Sequence, residues 1–330
     1  LNPIPNREMV ESAAVGSFVV PVYKPRGITS THVVRSLKRA GGFARIGHGG
    51  TLDPLAEGVL PILVGPATRM TEHLHAGSKT YLAAVLFGAT SATCDLGGEI
   101  VDSGSSIPAP WRVRDALRQF RGPISQTPPR YSAVRVGGRR AYSRARAGEI
   151  VDVPARSVTI HRLRAVEFAY WNSREMASTG RLAGLGGRGR LVAALEVVCG
   201  TGTYIRALAR DLGRSVGSGA VLVGLLRSRV GPFAATSAVP LAQAESLARA
   251  GQLADIGHSP DEVALHIPAL LLGADSARGF VHGAFAPVAE AAGPRRVYAA
   301  DGRFLGIGEV EADNLLRPRR VLAPAAEIGQ

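Results

Sequence analysis

The apolar positions of this chain fall into short runs separated by glycine, proline and polar clusters, and those runs predict its elements. Ser17 to Tyr23 predicts a strand. Behind the turn that starts at Lys24-Pro25, Thr29 or Ser30 is suited to cap a helix. Val33, Val34 and Leu37 give that helix one apolar face, and Gly41-Gly42 ends it. Val59 to Val64 is apolar and bounded by glycines, the mark of a buried strand. Ala67 to Leu74 predicts a short helix, Lys79 to Phe87 a strand, Thr90 to Glu99 a polar glycine-rich loop and Trp111 to Phe120 a helix. Ser157 to Phe168 and Leu191 to Val198 read as strands, with a Gly/Arg-rich surface tip over 179–190 between them. Ala207 to Leu212 predicts a helix ending near Gly213. Val239 to Gly273 holds helix-like pieces, and short strand candidates fill Gly279 to Pro287 and Val297 to Ala323. Leu1 to Gly16 has no period and is expected to be a flexible extension.

Composition narrows the function. The chain has 330 residues, 46% of them hydrophobic, enough for a packed core and more than one domain. The formal net charge is +13, which suggests a polyanionic partner, nucleic acid before membrane. Three lysines stand against 36 arginines, and arginine suits phosphate and stacking contacts. Between Arg121 and Arg156 lie eight arginines and two acids, with Tyr131 and Tyr142 interleaved. Arginines mixed with aromatics, glycines and prolines read as an RNA-gripping loop rather than a solvated face. The two cysteines stand in unrelated contexts and the eight histidines show no ligand spacing, so no metal site is expected. No apolar run reaches membrane-spanning length and no secretory signal is evident, so a cytoplasmic protein is expected.

The candidate chemistry sits in Gly47-His48-Gly49-Gly50-Thr51-Leu52-Asp53-Pro54, a glycine-rich turn presenting one carboxylate ahead of the Val59 strand. Pro54 removes a backbone donor and keeps Asp53 out of helical geometry. A stiff loop leading into a rigid strand is a good mounting for a reactive side chain. Asp-Pro pairs also serve simply to cap turns.

Gly47-His48-x-Gly50-Thr51-Leu52-Asp53-Pro54-x-Ala56-x-Gly58-Val59-Leu60 resembles, without a gap, the signature of the TruB-type pseudouridine synthases. Lys24-Pro25-x-Gly27-x-Thr29-Ser30, Lys79-x-Tyr81 and Gly202-Thr203-Tyr204-Ile205-Arg206 resemble three further motifs of that family, and Leu225 to Phe233 its closing segment. The likeness runs through Ser17 to Phe233 and more loosely over the tail, where 304–310 and 317–322 resemble a PUA-like module. It implies an α+β fold with a mixed, largely antiparallel central sheet, flanking helices and a small C-terminal β-rich PUA-like barrel. The implied organisation is an extension over 1–16, a catalytic domain over 17–240, a helical linker over 241–273 and an RNA-binding domain over 274–330. A thumb-like RNA-binding insertion would occupy about 124–156.

The resemblance also implies roles. Asp53 would be the essential residue, and Arg206 would pair with it, keeping it ionised and oriented. Tyr81 would stack on the target uracil and assist its C5 proton. Tyr204 would pack beneath the base, Leu225 would form an apolar wall, Lys24 would brace the loop and His48 would fill the space the flipped base leaves. Arg130, Arg135, Arg139 and Arg140 would grip RNA, whereas Arg188 and Arg190 read as part of an inert insertion. Asp95 has no evident role. The implied reaction isomerises uridine 55 of the tRNA T-loop, with no cofactor, no metal and no guide RNA, by a monomer. Three routes stay open for Asp53: attack on the sugar, attack on the base, or proton removal that starts glycal formation. A guide-RNA-dependent synthase and a tRNA-folding chaperone are the alternative functions. The arginine-rich thumb without a partner-docking extension argues for the stand-alone type, and a chaperone would not need Asp53.

Overall fold

The computed structural model describes residues 16–323 except 133, 137, 141, 143, 145–148, 150, 151, 173, 176–179, 181, 183, 184 and 186–188; at 135, 136, 139 and 140 it describes the backbone alone. The expected N-terminal extension lies outside the described residues apart from Gly16.

Strand β1 (Phe18–Lys24) turns into α1 (Ser30–Gly41), which is followed by β2 (Ile46–His48) and β3 (Glu57–Val64). Thr29 caps α1 by accepting from the His32 amide, and Gly42 ends it in the left-handed region at φ 63°. A 3-10 turn leads into α2 (Thr71–Ala76), then β4 (Lys79–Phe87) and a small ribbon of β5 (Ala89–Ser91) with β6 (Ile100–Asp102). Next come α3 (Pro110–Ala116), β7 (Gly122–Gln126), the short hairpin strands β8 (Arg135–Val136) and β9 (Arg139–Arg140), and the long pair β10 (Arg156–Trp171) and β11 (Arg190–Cys199). Then α4 (Ile205–Ser215), β12 (Ala220–Val230), β13 (Phe233–Ala234), β14 (Val239–Pro240) and α5 (Leu241–Arg249) follow. The C-terminal part contains β15 (Ala269–Leu272), α6 (Ala274–Val281), β16 (Ala286–Pro287), β17 (Gly293–Ala299), β18 (Phe304–Val310) and β19 (Leu315–Val321).

The large sheet runs β14-β1-β3-β12-β4-β11-β10-β7, with β2 on β3 and β13 on β12. Only the β1–β14 and β3–β12 pairings in it are parallel. It is thus the mixed, largely antiparallel sheet expected. The tail is a curled five-strand half-barrel in the order β15-β17-β18-β19-β16. Along β4 the inward set Tyr81, Ala83, Val85 and Phe87 packs with Leu195 and Val197 of β11 beneath α3 and α4. At the other end of the sheet, α1 and α5 cover β1 and β3 through Val33, Leu37, Ala244 and Ala248.

Three expectations need correction. Gly213 does not end α4, which continues to Ser215; a Cβ at 213 would meet the Ala220 backbone nitrogen at 2.6 Å, so glycine is there for the close approach of β12. The segment read as a linker is packed: its α5 lies in the core with α1, and its β15 pairs with β17 inside the C-terminal sheet. The 179–190 stretch is not merely a surface tip where it is described. Leu182 and Leu185 are buried against Leu86, Val192 and Val221. Arg190 is buried too: it donates to the carbonyls of Gly88 (2.6 Å) and Leu185 (3.0 Å) and pairs with Asp102. Arg188 lies outside the described residues.

Candidate active site

The β2–β3 hairpin carries the loop that presents Asp53, with Gly47 opposite Leu63 and His48 opposite Ile62. Two glycines let the loop sit so close to its neighbours. A Cβ on Gly49 would meet the Leu74 side chain at 2.4 Å, and one on Gly58, at φ 111°, would meet the Arg227 carbonyl oxygen at 2.3 Å.

Four side chains fix the loop from outside it. Ser30, buried at the start of α1, accepts from the Leu52 amide (2.8 Å) and donates to the Leu52 carbonyl (3.1 Å). Lys24 is fully buried; its ammonium donates to the carbonyls of Pro25 (2.8 Å), Ile28 (2.7 Å) and Pro54 (3.5 Å), which is the bracing expected of it. Burial and the nearby Arg227 push its pKa down to about 8. Arg227 donates to Gly50, Thr51 and Val59 carbonyls. Arg206 reaches Asp53 itself.

Asp53 and Arg206 lie 153 residues apart in sequence, yet Arg206 Nε donates to Asp53 Oδ2 at 2.8 Å. The two motifs therefore meet, as expected, but not through a two-armed fork. Nη1 of Arg206 donates to the Thr93 carbonyl (3.0 Å) and Nη2 to the Tyr131 carbonyl (3.1 Å). Asp95 stands 3.5 Å from the same Nε, held by the Thr93 hydroxyl (2.6 Å) and the Gly97 amide (2.8 Å). Asp95 is therefore a second carboxylate on the arginine. The Asp53 side chain is 35% exposed and that of Arg206 is 6% exposed. The carboxylate faces solvent at the mouth and its partner is anchored behind it.

Asp53 opens on a cleft of about 320 Å³ lined by Tyr81, Tyr204, Leu225, Arg206, Arg156, Lys79, His75 and Arg227. Tyr81, Tyr204 and Leu225 are thus brought together as expected. The Tyr81 ring is nearly buried, and Arg227 stands opposite Tyr81 across the β4–β12 pair. Burial raises its phenol pKa, and the Arg227 charge acts against that rise. Gln126 clamps Tyr204, accepting from its amide (2.8 Å) and donating to its carbonyl (3.2 Å). The Arg156 guanidinium stacks on the Tyr204 ring at 4.8 Å. Lys79 closes the end of α2 by donating to the Leu74, His75 and Gly77 carbonyls, and its pKa falls to about 8 on burial.

His48 is the exception: it is absent from the cleft lining, accepts from the Gly50 amide (3.3 Å) and has its pKa lowered by burial and then by Arg227 and His75. Arg130 is exposed on a neighbouring groove of about 1000 Å³ with Tyr131, Arg210 and Arg214. Of Arg135, Arg139 and Arg140 only the backbone is described: they lie on a hairpin that pairs Arg135 with Arg140. Sequence reasoning missed Ser30, Thr93, Gln126 and Arg227. For Arg227 a signal existed, since Leu225-x-Arg227 on a strand puts both on one face.

An oriented carboxylate beside an aromatic ring in an open basic cleft suits chemistry on a planar base of a polyanion. Comparisons with known proteins bear on this. Residues 38–205 match the family model "TruB family pseudouridylate synthase (N terminal domain)", and residues 268–322 match "Pseudouridine synthase II TruB, C-terminal". Curated relatives called tRNA pseudouridine synthase B include that of Acaryochloris marina, 39% identical over 302 residues, covering 91% of this chain and 97% of its own. That of Gloeobacter violaceus is 40% identical over 303 residues, with 88% and 94% covered. Among solved structures, a Cbf5-Nop10-Gar1 complex shares the fold with a TM-score of 0.68 at 21% identity, covering 95% of this chain and 87% of that one. With both family models matched in order and relatives aligned over nearly its whole length, the chain belongs to the TruB family of pseudouridylate synthases.

Proposed function

We propose that this chain is a stand-alone isomerase that converts uridine 55 in the T-arm of tRNA to pseudouridine. Family membership makes it an RNA pseudouridine synthase, and the names of its relatives support tRNA as the substrate. The observation that carries the reading is the 2.8 Å contact from Arg206 to Asp53 at the mouth of a cleft that Tyr81 lines.

The target nucleotide leaves its stack, which costs a few kcal/mol. Contacts from Arg130, Arg135, Arg139 and Arg140 on the thumb and from the C-terminal half-barrel offset that cost. In the cleft the bond from N1 to C1′ breaks, the uracil turns, and a bond from C5 to C1′ forms. The C5 proton leaves and N1 gains one, so atoms and charge balance. Asp53 acts at the sugar, at the base, or by removing a ribose proton. Arg206 holds it in one direction. Tyr81 and Tyr204 pack on the uracil and Leu225 walls it. His48 fills the space the flipped base leaves in the RNA stack.

In this reading residues 17–240 form the catalytic domain with the thumb at about 124–156. In the same reading α5 packs on that domain, the C-terminal sheet from β15 onward forms the PUA-like domain, and the enzyme is a cytoplasmic monomer. Incubating purified protein with an unmodified tRNA transcript, no guide RNA added, and mapping pseudouridine by nucleotide tests it. We expect pseudouridine at position 55, and its loss in Asp53→Asn with tRNA affinity within a few-fold. Bound tRNA without pseudouridine, or undiminished turnover in Asp53→Asn, overturns the proposal.

A further inference from the structure

The chain enters and leaves the thumb at one cross-strand pair. Gln126 ends β7, Arg156 begins β10, and the two stand directly opposite each other in the sheet. Residues so placed share a face, and here both side chains reach the same turn, the one that leads into α4. The side-chain amide of Gln126, 1% exposed, holds Tyr204 by its backbone amide (2.8 Å) and its backbone carbonyl (3.2 Å). Arg156 Nη2 donates to the Gly202 carbonyl at 2.5 Å, and the guanidinium carbon lies 4.8 Å from the centre of the Tyr204 ring.

Gln126 accounts for the backbone of Tyr204 and leaves its ring free to turn. Arg156 takes one face of that ring. Hydrogen bonding alone does not account for an arginine there: its Nε is shut from water and meets no acceptor among the described residues, which costs stability. A neutral donor would hold the Gly202 carbonyl without that cost. What arginine adds is a flat cation within the roughly 6 Å over which an aromatic face attracts it. Tyr204, Arg156 and Asp53 all line the same cleft. Tyr204 also caps the helix whose second residue, Arg206, holds Asp53.

We infer that Arg156 is a positioning residue for the isomerisation: stacked on one face of Tyr204, it fixes the plane of the ring, so that the flipped uracil meets a set surface beside Asp53. This rests on the function proposed above, in which Tyr204 packs on the uracil. A flipped base is held by stacking, and a ring free to swing would hold it in poses that do not react. The effect is on the rate with RNA already bound, and it passes through the aromatic ring.

Arg156→Lys made in three backgrounds, wild type, Tyr204→Phe and Tyr204→Leu, tests this by single-turnover rates and affinities with a tRNA transcript. Lysine keeps the charge and a donor but not the plane; phenylalanine keeps the aromatic face and leucine removes it. Arg156→Lys should slow the step by about tenfold or more in the first two backgrounds and by less than about threefold in Tyr204→Leu, with tRNA affinity within a few-fold throughout. Equal losses in all three would make Arg156 a tie to the Gly202 turn alone and overturn the inference. Faster turnover in Arg156→Lys overturns it as well, since the guanidinium would then stand where the base belongs. Arg156→Gln, which removes the charge, should leave the salt dependence of binding as in wild type; a log–log slope lower by about 0.7 to 0.9 would make Arg156 a phosphate contact instead. Early melting with lost tRNA binding in both Arg156 variants overturns the inference in favour of a purely structural role. A wild-type protein that forms no pseudouridine refutes the function itself, so the two failures are told apart.

Discussion

A lysine at position 206 would keep one positive charge and lose three directions. Arg206 uses Nε for Asp53, Nη1 for the Thr93 carbonyl and Nη2 for the Tyr131 carbonyl, and the side chain is almost closed off from water. An ammonium group offers donors from one point and cannot span these acceptors. Arg206→Lys should therefore fold and bind tRNA but lose roughly a hundredfold in turnover, as displacements of about 1 Å do at reacting groups. Single-turnover rates beside tRNA affinities check this, and a rate near wild type would reduce the pair to a structural tie. Asp53, Arg206 and Tyr81 are legible from motifs because each is a local pattern. Arg206 gives Asp53 one donor rather than a two-armed fork, because two carbonyls draw off the others, and these come from the 90–99 loop and the base of the thumb. Their places depend on tertiary packing. Asp95 shows no role in the sequence for the same reason: its partner is 111 residues away, and no local period announces it.

At the scale of elements, boundaries set by caps are legible and those set by packing are not. Thr29 and Gly42 close α1 as its sequence suggests, whereas α4 runs past Gly213 because that glycine admits β12. The Gly/Arg-rich tip misleads for a related reason: Arg190 looks like a surface charge, and only the fold brings Asp102 to it. The base of the thumb is similarly tied. Arg206 and Arg210, one turn apart on α4, hold the carbonyls of Tyr131 and Thr127. The β8–β9 hairpin then carries Arg135, Arg139 and Arg140 beyond that anchor. Neutralising the three together should weaken tRNA binding and flatten its salt dependence, the log–log slope falling by about 0.7 to 0.9 for each phosphate no longer neutralised. Titrations over a range of salt read the slope directly. A slope unchanged from wild type would remove these arginines from the interface.

Across the whole molecule, the C-terminal half-barrel and the catalytic loop share a support. Leu74 of α2 lies beneath Gly49, where even one added carbon would strike it, and it belongs to the same core as Phe304, Ile307 and Leu322 of the tail and Val230 and Phe233 of the large sheet. Arg69 donates to the Val321 carbonyl and Arg320 pairs with Glu72 of α2, so these two polar ties between the parts also land at or beside α2. The core around α2 is thus continuous from the tail to the turn that presents Asp53. Leu74→Ala should cost about 2 to 5 kcal/mol of stability, the range for emptying a buried leucine site. Leu37→Ala, equally buried but in the core between α1 and α5, should cost a similar amount and leave the loop supported. The two variants should then melt alike and work differently: at a temperature where both are folded, Leu74→Ala should lower the maximal rate and weaken tRNA binding, and Leu37→Ala should do neither. Thermal melts set beside single-turnover rates and binding curves make the comparison. Equal rates in the two variants would mean that the loop holds its geometry without α2, through Ser30, Lys24 and Arg227 alone.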